Sequence, residues 1–197
     1  AIAWEMAFIK PNAIQNLIPV ASNWKANDWL IGNVLVQDAI LNNSKNPIHD
    51  ARLHAMLLYR TPQSLTAKFN SERNDNQNSY KVESWLLHHG EKLTDRFELS
   101  AYKLMNHLLK TIGENTTEND LQEFAKISTT KIHQIAINSD YFFAPNENIK
   151  THNLLSNITN NLSYHEINSI HGHDAFLIEY ERLNHILKTI FNTKQTH

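Results

Sequence analysis

The stretch Ser169-Ile170-His171-Gly172-His173-Asp174 sets two imidazoles and a carboxylate around one glycine. An imidazole titrates near neutrality, so it can take a proton from one reactant and return it to another. Gly172 permits a sharp turn that frees one ring to project from the carboxyl end of a strand, where open α/β sheets bind ligands. The alternating run Tyr164-His165-Glu166-Ile167-Asn168 supplies such a strand, and the amphipathic stretch from Ala175 to Phe191 a helix after it. A second carboxylate has the same setting. Lys131 to Asn138 alternates as a strand and ends in Ser139-Asp140, ahead of Tyr141-Phe142-Phe143-Ala144-Pro145. Strand, acid, helix, strand, histidine, helix is the second half of a nucleophile, acid, histidine order. His171 and His173 have the spacing of a His-x-His metal pair, but further ligands are not supplied nearby, so no metal is expected.

The elements that must position these groups follow from periodicity. Ala1 to Lys10 reads as an apolar helix closed by Pro11, and Asn16 to Ser22 as a short buried strand weakened by Pro19. So abrupt an apolar start suggests a chain whose upstream part is missing. From Asn23 to Gly113 no strand is expected. Helices are predicted over Asn27 to Leu41, Ile48 to Tyr59, Tyr80 to His89 and Ser100 to Ile112, with Thr61-Pro62 ending the second. Gly90 and the charged Glu91 to Glu98 run lie between the last two or continue them. Phe69 to Ser79 reads as a mobile loop with little to bury. Glu114 to Glu123 is a linker or short helix, and Asn148 to Asn157 a modest helix. The final helix, from about Ala175, would turn Phe176, Leu177, Tyr180, Leu183, Ile186, Leu187 and Ile190 to the sheet. The fold class is therefore α/β. Residues 1–23 and 114–197 form the core, and residues 24–113 an inserted helical lid long enough to cap a cleft.

Composition bounds the partners. A chain of 197 residues, 41% hydrophobic and 19% charged, can bury one sizeable core, and a formal net charge of -2 leaves no footprint for nucleic acid. With no cysteine, disulfides and thiolate zinc sites are excluded, which fits a reducing compartment. No apolar run reaches bilayer length and no signal pattern opens the chain, so no membrane and a cytoplasmic location are expected.

The chain resembles the homoserine O-acetyltransferases, α/β-hydrolase-fold enzymes of methionine biosynthesis. The residues that carry the likeness are Gly172-His173-Asp174-Ala175-Phe176-Leu177 and Ser139-Asp140-Tyr141-Phe142-Phe143, with Leu58-Tyr59-Arg60-Thr61, Val82-Glu83-Ser84-Trp85-Leu86 and Gly90-Glu91-Lys92 in the insertion. The resemblance implies ping-pong acyl transfer: a serine takes the acetyl group of acetyl-CoA and passes it to L-homoserine. It implies that His173 is the general base, that Asp140 orients it, and that Arg60 and Asp174 hold the substrate's carboxylate and ammonium. No cofactor is implied beyond acetyl-CoA as donor. Homodimers through the inserted helices are.

The family's serine sits on a Gly-x-Ser-x-Gly elbow opening the helix that corresponds to Ala1 to Lys10, so it would lie just before Ala1. None of Ser22, Ser44, Ser64, Ser84 or Ser139 has that context. These residues alone are accordingly expected to be inactive, and the activity is assigned to the full-length protein. Other readings stay open: a succinyl donor, a serine acceptor, an esterase, or a non-catalytic dimerising fragment. Asp140 also suits a turn cap, Arg60 a helix carboxyl end and Asp174 a helix amino end.

Overall fold

A computed structural model describes residues 1–74 and 78–192. Its centre is a parallel sheet of three strands in the order β1-β4-β5: β1 (Asn16–Leu17), β4 (Lys131–Ile137) and β5 (Leu162–Ile167). β1 is short because Pro19 has no N–H to give. Its carbonyl still accepts from Ile135 N at 3.0 Å, and pairing resumes where Ala21 N donates to the Ile135 carbonyl at 2.8 Å. The expected strand to Ser22 is thus two residues and a bridge at Val20.

Side chains of β4 alternate between two cores. Ile132 joins Trp4, Leu17, Trp24, Leu121, Phe124 and Leu155, supplied by α1 (Ile2–Ile9), α7 (Glu118–Ile127) and α8 (Pro145–Leu155). Ile135 and Ile137 point the other way and join Ile167, Ala175 and Ile190, where α9 (Tyr180–Asn192) packs. Both faces of the strand's carboxyl end are covered, so its alternating sequence does not mark a solvated face. Gln134, 1% exposed, reaches Asn148 of α8 at 3.4 Å.

Between β1 and α7 the described residues form five helices: α2 (Asp28–Asn43), α3 (Pro47–Tyr59), α4 (Pro62–Phe69), α5 (Lys81–Thr94) and α6 (Leu99–Lys110). Asn27 caps α2 by accepting from Leu30 N at 2.9 Å, and Thr61 caps α4 by accepting from Ser64 N at 3.0 Å, with Pro62 in the first turn. Thr61-Pro62 ends one helix, as expected, but also starts another. α5 runs straight through Gly90. A Cβ there would lie 2.4 Å from the His49 ring and 2.7 Å from Leu53, so the glycine permits close approach of α3.

Several expectations are corrected. A two-stranded antiparallel hairpin, β2 (Arg73–Asn74) and β3 (Ser79–Tyr80), occupies the segment read as a loop, and Phe69 is buried against Trp85 at 5.5 Å between ring centres. Residues 75–77 of that segment lie outside the described residues. The last helix begins at Tyr180, after a 3-10 turn over Gly172–Leu177. Leu177 and Tyr180 are exposed, leaving Phe176, Leu183, Ile186, Leu187 and Ile190 on the sheet. No helix among the described residues is long and apolar enough to cross a membrane.

On the α9 side of the sheet, Ser163 bridges His133 Nδ1 at 2.7 Å and His165 Nε2 at 3.1 Å. Burial holds both imidazoles below their usual value, and for His133 the neighbouring His165 and Lys131 add to the effect. The unfolded chain therefore takes up these protons first, so their contribution is complete above about pH 6.5 and is lost as the pH falls below it. The melting temperature should drop between pH 7 and pH 5, and drop less in His133→Gln, when followed by circular dichroism.

Candidate active site

Asp140 and His173 meet just beyond the carboxyl ends of β4 and β5. Their strands are neighbours in register, with Ile137 opposite Ile167, so the two following turns leave the sheet side by side. Those turns are stitched together. Ser169 N donates to Asn138 Oδ1 at 2.9 Å, Ser139 Oγ donates to the Ser169 carbonyl at 2.5 Å, and Gly172 N donates back to Ser139 Oγ at 3.1 Å. Ser139 was not singled out for chemistry; it couples the two turns.

His173 Nδ1 lies 2.8 Å from Asp140 Oδ2. Asp140 is 2% exposed, and its other oxygen accepts from Phe142 N at 2.7 Å and Phe143 N at 2.9 Å. It is thus both turn cap and histidine partner, and the two readings of this residue coexist. Three donors thus converge on one buried carboxylate. The Nδ1 proton is thereby committed to Asp140, leaving a lone pair on Nε2, which has no hydrogen-bond partner among the described residues.

Aromatic rings enclose the imidazole: Phe142 at 5.3 Å, Tyr59 at 5.4 Å, Phe176 at 5.6 Å and Phe143 at 5.7 Å between centres. A cavity of about 310 Å³ opens beside it, walled by Tyr59, Phe142, Phe143 and, from the inserted helices, Gln37, Tyr102 and Asn106. The periodicity of the helical block gave no sign of this polar wall, because its members serve first to join helices. Tyr102 Oη donates to Gln37 Oε1 at 3.3 Å, and Asn106 Nδ2 to Asp38 Oδ1 at 2.8 Å. Trp29 of α2 donates to the Tyr141 carbonyl at 2.5 Å, and Thr61 to the Ile170 carbonyl, so the block is fastened to both active-site turns.

Arg60 and Asp174 are also brought together. Asp174 follows His173 directly, and its Oδ2 is 4.0 Å from Arg60 Nη1. Burial pushes the Asp174 carboxyl up, an effect opposed by Arg60 and His173. Arg60 is the carboxyl cap of α3, whereas Asp174 lies inside the 3-10 turn and caps nothing there. His171 does not share the site: its Nδ1 is 2.8 Å from Ser64 Oγ on α4. No serine hydrogen-bonds to His173 among the described residues. Ser139 and Ser64 are engaged elsewhere.

A parallel sheet with an acid and a histidine beyond adjacent strands, and helices inserted before the acid-bearing strand, is the carboxyl-terminal portion of an α/β-hydrolase fold. Esterase E22 superposes with a TM-score of 0.74 at 14% identity, over 93% of this chain and 56% of that one. A homoserine O-acetyltransferase from Staphylococcus aureus superposes at 0.73 and 17% identity, over 98% of this chain and 56% of that one. By sequence the chain is 30% identical over 201 residues to a homoserine O-acetyltransferase of Cyclobacterium marinum, taking in 96% of this chain and 56% of that protein. No family model matches. The chain is a homologue of the homoserine O-acetyltransferases along nearly all its length, and it spans about half the length of the curated relatives it matches.

Gly172 holds the site's geometry through a φ of +68°, and a Cβ would stand 3.0 Å from the Tyr59 carbonyl oxygen and 3.2 Å from the Arg60 carbonyl carbon. Gly172→Ala should cost about 1–3 kcal/mol in urea unfolding. The His173 imidazole should also lose its Asp140-bonded NMR signature, because strain and crowding both act on the turn that carries it.

Proposed function

We propose that this chain carries the acid-base half of a Ser-Asp-His acyl-transfer site, and that the complete protein moves the acetyl group of acetyl-CoA to the hydroxyl of L-homoserine. The observation that carries this reading is the 2.8 Å contact between His173 Nδ1 and a fully enclosed Asp140. The sequence relationship to proteins named homoserine O-acetyltransferase supports this choice of substrates.

In the scheme, a serine hydroxyl attacks the thioester carbonyl while His173 Nε2 takes its proton. The tetrahedral adduct collapses, the C–S bond breaks, and the thiolate leaves with that proton. The homoserine hydroxyl then attacks the acetyl-serine, its proton passes to Nε2, and the serine departs reprotonated as the new ester is released. Asp140 keeps the Nδ1 proton in place and stabilises the imidazolium formed in each half. Neither metal nor prosthetic group is needed.

We place the nucleophile in a segment leading into α1. Ala1 packs against the cluster that holds Phe142 and Phe143, two rings of the shell around His173, which supports a nucleophile arriving from that side. Arg60 would grip the homoserine carboxylate and Asp174 its ammonium, a pair that distinguishes an amino acid from water. Residues 24–113 would act as a lid that excludes solvent from the acyl-enzyme, on the core formed by 1–23 and 114–197. Exposed Leu35 and Val36 of α2, with Leu104 and Leu108 of α6, give this lid an apolar outer face suited to a second copy.

In the full-length protein, Asp140→Asn should lower kcat by about 10⁴ by forcing the wrong tautomer on His173, with little change in melting temperature. Arg60→Lys and Asp174→Asn should instead raise KM for homoserine, each by about tenfold or more. Assays pairing acetyl-CoA or succinyl-CoA with homoserine, serine or water test the assignment; it falls if hydrolysis or serine acylation outruns transfer to homoserine. Residues 1–197 alone should transfer nothing.

A further inference from the structure

Cations gather on one side of the Arg60–Asp174 pair without carboxylates to match them. Lys68 Nζ stands 4.7 Å from the centre of the Trp85 ring, the Arg60 guanidinium 5.9 Å from the same ring, and the Arg52 guanidinium 5.6 Å from the Tyr59 ring. His89 closes the group, its ring 4.6 Å from Trp85. The charges acting on Lys68 and His89 are all of one sign: Arg60 on Lys68, and Arg52, His88, Lys68 and Lys92 on His89. After burial, these neighbours add to holding both groups below their usual values.

Several nearby carboxylates are committed elsewhere, and the exposed Glu91 of α5 lines a separate pocket with His49, Thr94 and Asp95. Asp50 is held by Ser44 and by His49 at 2.8 Å, Glu72 pairs with Lys81 at 2.5 Å, and Glu83 accepts from Tyr80 N at 2.6 Å. Asp174, 4.0 Å from Arg60 and also acted on by Arg52, is a single carboxylate beside three cations. Neither Arg52 nor Lys68 has an ion-pair partner among the described residues. Arg60, with 10% of its side chain exposed, has a buried Nε with no hydrogen-bond partner. Leaving three cations together costs free energy unless an anion joins them.

We propose that Arg52 and Lys68, set about Tyr59 and Trp85 on the outer side of Arg60, form a phosphate subsite that holds the nucleotide end of the thioester donor. The inference rests on the acyl-transfer reading above and adds residues to it. A substrate carboxylate needs one cation, which Arg60 provides. The two left over suit a group carrying two negative charges. Lys68 is exposed, Arg60 is largely covered, and Tyr59 touches His173, so the cations run from the surface toward the acyl-transfer site. An anchored phosphate at the outer end would let the rest of the donor lie inward toward His173. The Trp85 ring holds Lys68 and Arg60 in place by cation-π attraction, so they are arranged before the donor arrives.

Calorimetry on the full-length protein provides the test, with adenosine 3′,5′-bisphosphate as probe and adenosine as its uncharged control. The wild type should bind the bisphosphate at least tenfold more tightly than adenosine, and less tightly as salt rises. Lys68→Ala and Arg52→Met should each remove most of that preference and raise KM for acetyl-CoA by about tenfold, leaving KM for homoserine in place. Arg52→Lys should keep part of it, and Lys188→Ala all of it. Absence of any preference in the wild type, or its survival in both variants, overturns the subsite. So does an effect of Lys68→Ala confined to succinyl-CoA, which would assign the cations to an acyl-chain carboxylate. Phosphate binding that depends on Lys68 in a protein that makes no acetyl-homoserine would sink the functional reading and uphold the subsite. Acyl transfer with phosphate binding indifferent to Lys68 would do the reverse.

Discussion

The hydrogen bond between His173 and Asp140 is possible only because two turns leave the sheet level with each other. β4 and β5 pair in register to Ile137 and Ile167, and Asn138 N donates to the Ile167 carbonyl at 3.2 Å, carrying the ladder one step past the strands. Ser139 then spans the gap, accepting from Gly172 N and donating to the Ser169 carbonyl. A slip of one residue would turn Asp140 to the other face and leave a carboxylate buried without donors. The register of the sheet and the chemistry of the site therefore constrain each other.

Around that bond the protein builds an aromatic enclosure. Four rings surround the imidazole, and the same phenylalanines, 142 and 143, lend their backbone N–H groups to Asp140. Each does two jobs: its side chain lowers the local polarity, and its amide satisfies the charge that the low polarity would penalise. Tyr59 joins them from α3, and burial holds its hydroxyl above the usual value. The helical block is thus part of the site's wall and is bonded to both turns through Trp29 and Thr61.

Charge is distributed unevenly about the site. The sheet side contributes Asp140 and Asp174, and the helical block contributes Arg52, Arg60 and Lys68. The carboxylates of the core thus face a cationic cover, with positive charge left over on the outer side. A chain with a net charge of -2 shows none of this in its totals.

Much of the layout was legible in the residues themselves. Asn27 marks a helix start by local hydrogen bonding, Thr61-Pro62 marks a helix end, and Gly172 marks a turn that only a residue without Cβ takes easily, whereas the helix starts at Pro62 and Pro145 were not read. Asp140 and His173 could be picked out because each follows an alternating strand. What could not be read locally was whatever needed a distant partner. The hairpin of β2 and β3, the late start of α9, the continuation of α5 through Gly90 against His49, and the burial of Phe69 under Trp85 all depend on packing between segments far apart in sequence. The sequence by itself determined which residues stand at strand ends and helix starts, because those preferences act over a few neighbouring bonds. Only the tertiary structure decided which face each strand buries, that His171 goes to Ser64 while His173 goes to Asp140, and that three cations share one surface. Such choices are made by burial and Coulomb energy summed over partners that local preference cannot see.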